Sequence, residues 1–139
     1  LHYININCTD LLVSSRWYQR SLGFEAESDI WDETFPAEVY GVGGVVHVRS
    51  QRLTLCDRET DCNIQLQQWL EPAAAGGPVT ELRQPGYHRL ALEVEDIAGC
   101  HQQLLQSGVQ CRRAPATGKV LFLNDPDGVC LQLIEGALA

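Results

Sequence analysis

The chain has 139 residues, 45% of them hydrophobic and 20% charged, enough for one globular domain or two small modules and too apolar for a disordered segment. The net charge of −8 argues against nucleic acid or an anionic membrane as the main partner, while leaving room for a local basic site. No apolar run approaches the roughly eighteen residues that a membrane span needs, and no signal-like segment opens the sequence, so a cytoplasmic protein is expected.

"YININC" opens the chain with clean alternation: Ile4, Ile6 and Cys8 on one face, Tyr3, Asn5 and Asn7 on the other. That is a strand with one buried face. Thr9 or Asp10 offers an N-cap for "LLVSSRWYQRSL", whose Leu11, Leu12, Ser15, Tyr18 and Leu22 follow helical spacing. Gly23 closes that helix and "FEAES" resumes as a strand. Two further strands follow, in "HVRSQRLTLC" and "CNIQLQQWL". "EPAAAGGPVTELRQPG" is rich in Pro, Gly and Ala and reads as a linker over residues 71–86.

The plan then repeats. "RLALEV" alternates, Asp96 caps a helix carrying Ile97, Cys100, Leu104 and Leu105, and Gly108 ends it. "VQCRR", "KVLFLN" and "VCLQLIE" supply three strands, the last two joined by the turn "DPDG". The reading is therefore an α+β protein: a βαβββ module over 1–70, a linker over 71–86, and a second βαβββ module over 87–139. A cap, a helix, a closing glycine and three strands recurring in one order make chance an unsatisfactory explanation.

Six cysteines show no C-x-x-C pair and no zinc-finger spacing, so reduced thiols are expected. Cys56 and Cys62 flank a polar loop and are the one candidate pair for a local disulfide. No nucleophile triad, Walker loop or HExxH helix is present, and "GVGG" lacks the strand-to-helix context of a dinucleotide loop.

At this point "TDLLVSSRWYQRSLGFE", "VEDIAGCHQQLLQSGV" and "FLNDPDGVCLQLIE" together resemble the vicinal oxygen chelate superfamily, the glyoxalase, bleomycin-resistance and extradiol-dioxygenase fold. "VYGVGGVVHVRSQRLTL" also resembles a subset of these proteins. The resemblance spans nearly the whole chain and is specific for fold rather than activity. It implies a cup built from two modules with helices outside, usually holding a divalent metal that polarises substrate oxygens. It also implies ligands on the first and last strands of each module, the first lying seven residues before the capping Asp.

Carried onto this sequence, those positions are Tyr3, Gln65, Arg89 and Gln132. A guanidinium has no lone pair to donate and repels a cation, so no cofactor is expected. The alternative is a bulge at the start of each first strand that swings His2 and His88 inward, restoring a divalent-metal site with Gln65 and Gln132.

Leu90, Leu92 and Val94 form the continuous apolar face, which leaves Arg89, Ala91 and Glu93 for the cup. Arg89 either clamps a small anion or forms an internal ion pair with Glu93. Glu93 is the candidate general base, with a structural counter-ion as the plainer role. Tyr3, Asn5, Gln65, Gln67, Trp69, Arg89 and Gln132 are the candidate ligand-binding residues, Trp69 as a stacking surface or a rim aromatic. His47, in a middle strand, and His101, on the second helix, read as solvated residues.

The functional expectation is a bleomycin-resistance-like protein that binds a small organic molecule, anionic or aromatic, without metal. The alternative is a metal-dependent lyase, isomerase or dioxygenase, and a third reading is an interaction module with a vestigial cup. A small-molecule ligand and a homodimer are the expected partners.

Overall fold

A computed structural model describes residues 2–56, 61–81, 83–113 and 118–136. It divides into two units, Leu1–Gly76 and Gly77–Ala139, with the cut inside the stretch read as a linker. Among the described residues no helix is long and apolar enough to cross a membrane.

The first unit runs β1 (Ile4–Asn7), α1 (Leu11–Leu22), β2 (Glu25–Ala26), β3 (Trp31–Pro36), a 3-10 turn (Ala37–Tyr40), β4 (Val45–Cys56) and β5 (Asp61–Glu71). Its sheet has the order β1-β5-β4-β2, with β3 also on β4. The second unit runs β6 (Arg89–Val94), α2 (Ile97–Gln106), β7 (Cys111–Arg113), β8 (Val120–Asn124) and β9 (Cys130–Glu135), in the order β6-β9-β8-β7. In each unit the first strand lies parallel to the last, and the remaining pairs are antiparallel. This is the α+β, twice-repeated mixed-sheet architecture read from the sequence.

One element was not anticipated. "WDETFP" forms β3, so two short strands fill the place expected for "FEAES". β4 is 12 residues long: β2 covers Leu53 and Thr54, and β3 covers Val45 to Ser50. The break between them is set by Ser28, whose hydroxyl accepts from Arg52 N while the Arg52 carbonyl takes the N–H groups of Glu27 and Ser28.

Both helices start the same way. Asp10 Oδ1 accepts from Val13 N at 3.1 Å, and Asp96 Oδ1 from Gly99 N at 3.0 Å. Such caps are worth about 1 kcal/mol each. A second anchor comes from the closing strand of the same unit: Gln68 Oε1 receives Leu11 N at 3.0 Å, and Glu135 Oε2 receives Ile97 N at 2.9 Å. Each helix is therefore tied to the last strand of its own sheet at its donor-rich end. Gly23 and Gly108, with φ of 76° and 78°, follow the two helices in the left-handed conformation that a side chain disfavours.

Leu11, Ser14, Ser15 and Tyr18 are the buried stripe of α1, and Ile97 and Leu104 that of α2. Leu12 and Leu105, read as core, are about half exposed. Each lies one residue off its stripe, roughly 100° around the helix, so its hydrophobicity could not bring it inward. Ser14 and Ser15 take part of the buried face instead, and Ser15 Oγ donates to the buried Gln51 Oε1 at 2.7 Å.

All six cysteines are free. Cys62 stands opposite Leu55 while Cys56 stands opposite Asp61, so alternation sends the two thiols to opposite faces of the β4–β5 hairpin. The local disulfide considered from sequence is therefore not formed.

Candidate ligand-binding faces

The face of each sheet turned away from its helix carries the polar residues. In the second unit, Leu90 pairs with Leu131 and Leu92 with Leu133, while Leu121 and Leu123 of β8 continue the same apolar rows. Period two then places Arg89, Ala91 and Glu93 on the opposite face with Cys130, Gln132 and Ile134, and with Val120, Phe122 and Asn124. Arg89 Nε donates to the amide oxygen of the buried Gln132 at 2.5 Å, and its guanidinium stands 5.9 Å from the centre of the Phe122 ring.

Glu93 shares this face but is exposed, and among the described residues it forms no ion pair with Arg89. The internal Arg89–Glu93 pair weighed from sequence is absent, and a neutral amide holds the guanidinium instead. The remaining donors of Arg89, on Nη1 and Nη2, have no described partner.

In the first unit the corresponding face gathers Tyr3, Asn5 and Asn7 beside β5, with Asn5 opposite Gln65 and Asn7 opposite Gln67. Gln65 and Gln67 are buried, and the amide of Gln65 donates to Gln67 Oε1 at 3.5 Å. Asn7 Oδ1 accepts from both Asn5 Nδ2 at 3.1 Å and Trp69 Nε1 at 3.2 Å. The Trp69 ring packs against a cluster of Ala37, Val46 and Val48, and lies 5.5 Å from the Tyr40 ring. Its indole is thus engaged by the protein on both its apolar body and its N–H.

Sequence reasoning overlooked Arg52. It lies opposite Gln65 on β4, and its Nε points to Gln65 Oε1 at 3.4 Å. The guanidinium stands 5.3 Å from the centre of Tyr3 and 5.9 Å from that of Trp31. The signal was the alternation Ser50, Arg52, Thr54 against Gln51, Leu53, Leu55. Gln51 hid it, because a glutamine on the helix side makes the strand's phase ambiguous until its bond to Ser15 is seen.

The two units therefore share a motif. A buried closing-strand glutamine, Gln65 or Gln132, offers its amide oxygen to an arginine Nε. Those amide oxygens are the atoms of the two glutamines able to ligate a metal, and each already faces a guanidinium. The Tyr3 ring lies within cation–π distance of Arg52. A divalent cation there would meet positive charge in either unit, so these residues do not fit a metal.

The histidine alternative needs a bulge at the start of each strand; the β1–β5 pairing is regular from Ile4 and the β6–β9 pairing from Arg89, both beginning just past the histidines. His2 is exposed with its ring 5.2 Å from that of Tyr3. His88 differs: both of its ring nitrogens are buried and lack a hydrogen-bond partner. Among the described residues no cluster of three or more His, Cys, Asp and Glu is poised to hold a metal.

A third arginine, Arg49, lies on the other face of β4 and is neutralised. It grips Asp32 through Nε at 2.7 Å and Nη2 at 2.9 Å, with His47 Nε2 3.8 Å from the same carboxylate. The Arg49 hydrogen bonds hold the Asp32 carboxyl below its ordinary pKa.

No curated protein sequence matches the chain. Among solved structures it is similar to a glyoxalase family protein from Bacillus cereus, at 17% identity and a TM-score of 0.74 over 97% of this chain and 92% of that one. It is also similar to the trypanothione-dependent glyoxalase I of Leishmania major, at 18% identity and a TM-score of 0.69 over 96% and 84% of the two chains. The fosfomycin resistance protein FosX of Listeria monocytogenes aligns at 14% identity and a TM-score of 0.62 over 99% and 91%. At such identities these likenesses speak to fold. The family model for the Glyoxalase/Bleomycin resistance protein/Dioxygenase superfamily matches residues 1–133, and the chain belongs to that superfamily.

Proposed function

We propose that this protein binds a small organic anion on the helix-free faces of its sheets, without a divalent metal. One observation carries the reading. Arg52 and Arg89 each rest Nε on a glutamine oxygen, while their Nη donors and their charge have no described carboxylate to meet. A guanidinium held by a neutral amide keeps its charge available, and its fork suits a carboxylate, phosphonate or enolate.

Binding is better supported than turnover. Glu93, the candidate base, is exposed and makes no described side-chain contact that would orient it. Sequestration of a ligand is therefore favoured over proton transfer, and a reducing, cytoplasmic setting suits the six free thiols.

The competing reading, a metal-dependent lyase, isomerase or dioxygenase, has one observation in its favour: the unpartnered ring nitrogens of His88. Two titrations separate the readings. Nickel, zinc, manganese and iron(II) are expected to leave the melting temperature unchanged, and protein purified without chelator is expected to hold no stoichiometric ion. A panel of small carboxylates and phosphonates is expected to raise the melting temperature, less so in Arg89→Lys, which keeps the charge but loses the fork. A tightly bound ion released by His88→Ala would overturn the metal-free reading.

A further inference from the structure

The two glutamine-bound arginines are not equivalent, and the difference bears on what the first unit recognises. Arg89 is exposed and has one ring nearby, Phe122. Arg52 is half-buried between two rings, Tyr3 from the segment leading into β1 and Trp31 from β3. Its backbone is also pinned: the N–H donates to Ser28 Oγ at 3.0 Å, and the carbonyl receives Glu27 N at 3.0 Å and Ser28 N at 3.4 Å. Its backbone is therefore fixed, its guanidinium carbon lies 5.3 and 5.9 Å from two aromatic ring centres, and its Nε is set on Gln65.

Arg49, three residues earlier on the same strand, shows what a structural arginine does here: it takes a bidentate carboxylate from its own chain. Arg52 has no such partner among the described residues. A charged group that is partly withdrawn from water and left without a counter-ion is costly unless something supplies one. Aromatic rings offset part of that cost through cation–π contact, but they leave the Nη edge without an acceptor.

Resting on the anion-binding reading above, we infer that the first unit carries its own recognition site, centred on Arg52, for an aromatic carboxylate. The carboxylate takes the Nη edge of Arg52 in a two-pronged bond. The planar group attached to it lies against Tyr3 or Trp31, where a ring gains more than an alkyl chain of equal charge. Gln67 and Asn5, on the same face, supply neutral hydrogen-bonding groups for further polar substituents.

The test is a site-resolved NMR titration of the full chain with benzoate, acetate and inorganic phosphate, following the Nε–H signals of Arg52 and Arg89 and the indole N–H of Trp31. Benzoate is expected to move the Arg52 and Trp31 signals in one saturable step, with at least fivefold higher affinity than acetate or phosphate. Arg52→Lys should weaken that step at least tenfold, and Arg52→Gln should abolish it.

Acetate or phosphate binding at Arg52 as tightly as benzoate would overturn the aromatic class. Shifts confined to Arg89 would overturn the Arg52 site and leave the anion-binding reading standing. Shifts at neither arginine would overturn both. Because the wild-type signals report by residue, the outcome does not depend on a variant folding.

Discussion

Replacing Arg89 by leucine removes a donor from a buried acceptor, and the cost can be worked from the geometry. Gln132 is only 8% exposed, and Arg89 Nε is the donor to its amide oxygen. Losing that donor leaves a buried acceptor unpaired, at about 1–3 kcal/mol. The new leucine recovers at most about 1 kcal/mol against Phe122, because position 89 is exposed. The net expectation for Arg89→Leu is a loss of about 1–2 kcal/mol, or roughly 3–7 °C in melting temperature for a chain of this size.

Gln132→Leu should behave differently. It deletes the acceptor and its desolvation cost together, and the exposed Arg89 can turn to water, so the loss should be about 0–1 kcal/mol. The double variant should then match Gln132→Leu, with a coupling energy equal to the Arg89→Leu loss, about 1–2 kcal/mol. Urea unfolding followed by circular dichroism, with unchanged m-values, measures all three. Additive effects, or a neutral Arg89→Leu beside a costly Gln132→Leu, would refute the view that the arginine serves the glutamine. A folded double variant that binds the wild-type ligand at full affinity would in turn remove Arg89 from the anion site.

Three other outcomes are expected. The Arg49 hydrogen bonds lower the Asp32 pKa in the folded protein, so this carboxylate contributes stability that is present above its unfolded value of about 4 and lost as pH falls through the folded value. Chemical denaturation at low salt should therefore show a small destabilisation by Asp32→Asn at neutral pH that disappears in acid, and a pH-independent difference would contradict the pairing. A thiol-reactive disulfide reagent should modify exposed Cys56 first, since burial pushes the Cys62, Cys100 and Cys111 thiols up; mass-mapped labelling that begins at any of those three would be the wrong order. The chain should sediment as a homodimer at micromolar concentration, with the exposed Val39, Tyr40, Val42 and Val45 as the surface to cover; Tyr40→Lys with Val42→Lys should yield monomer, and a monomeric wild type would remove the idea.

Much of the fold was written in local pattern. Alternation in "YININC" and "RLALEV", an aspartate before each helix and a glycine after it are properties of neighbouring residues, so they fix strand, helix and module order without knowledge of the rest. The same period-two rule correctly put Arg89 and Gln132 on one face. Local pattern failed where a residue's role depends on a partner far along the chain. Gln51 looks like a misplaced polar residue until Ser15, 36 positions away, accounts for it, and so the phase of β4 and the position of Arg52 were lost.

The partners of the arginines were likewise beyond the sequence. Arg89 and Glu93 are four residues apart on one face, with only Ala91 between them there, and invited an ion pair, yet Gln132, 43 positions on, holds the guanidinium. Gln132 pairs with Ala91 and so stands diagonally from Arg89, about 8 Å away, while Glu93 lies about 13 Å along the strand, and the buried diagonal neighbour offers its acceptor in fixed geometry. An exposed glutamate must surrender side-chain freedom and hydration to compete, for a return that water screens. Spacing along the chain decides which face a side chain occupies; only the packed sheet decides which atom it meets there.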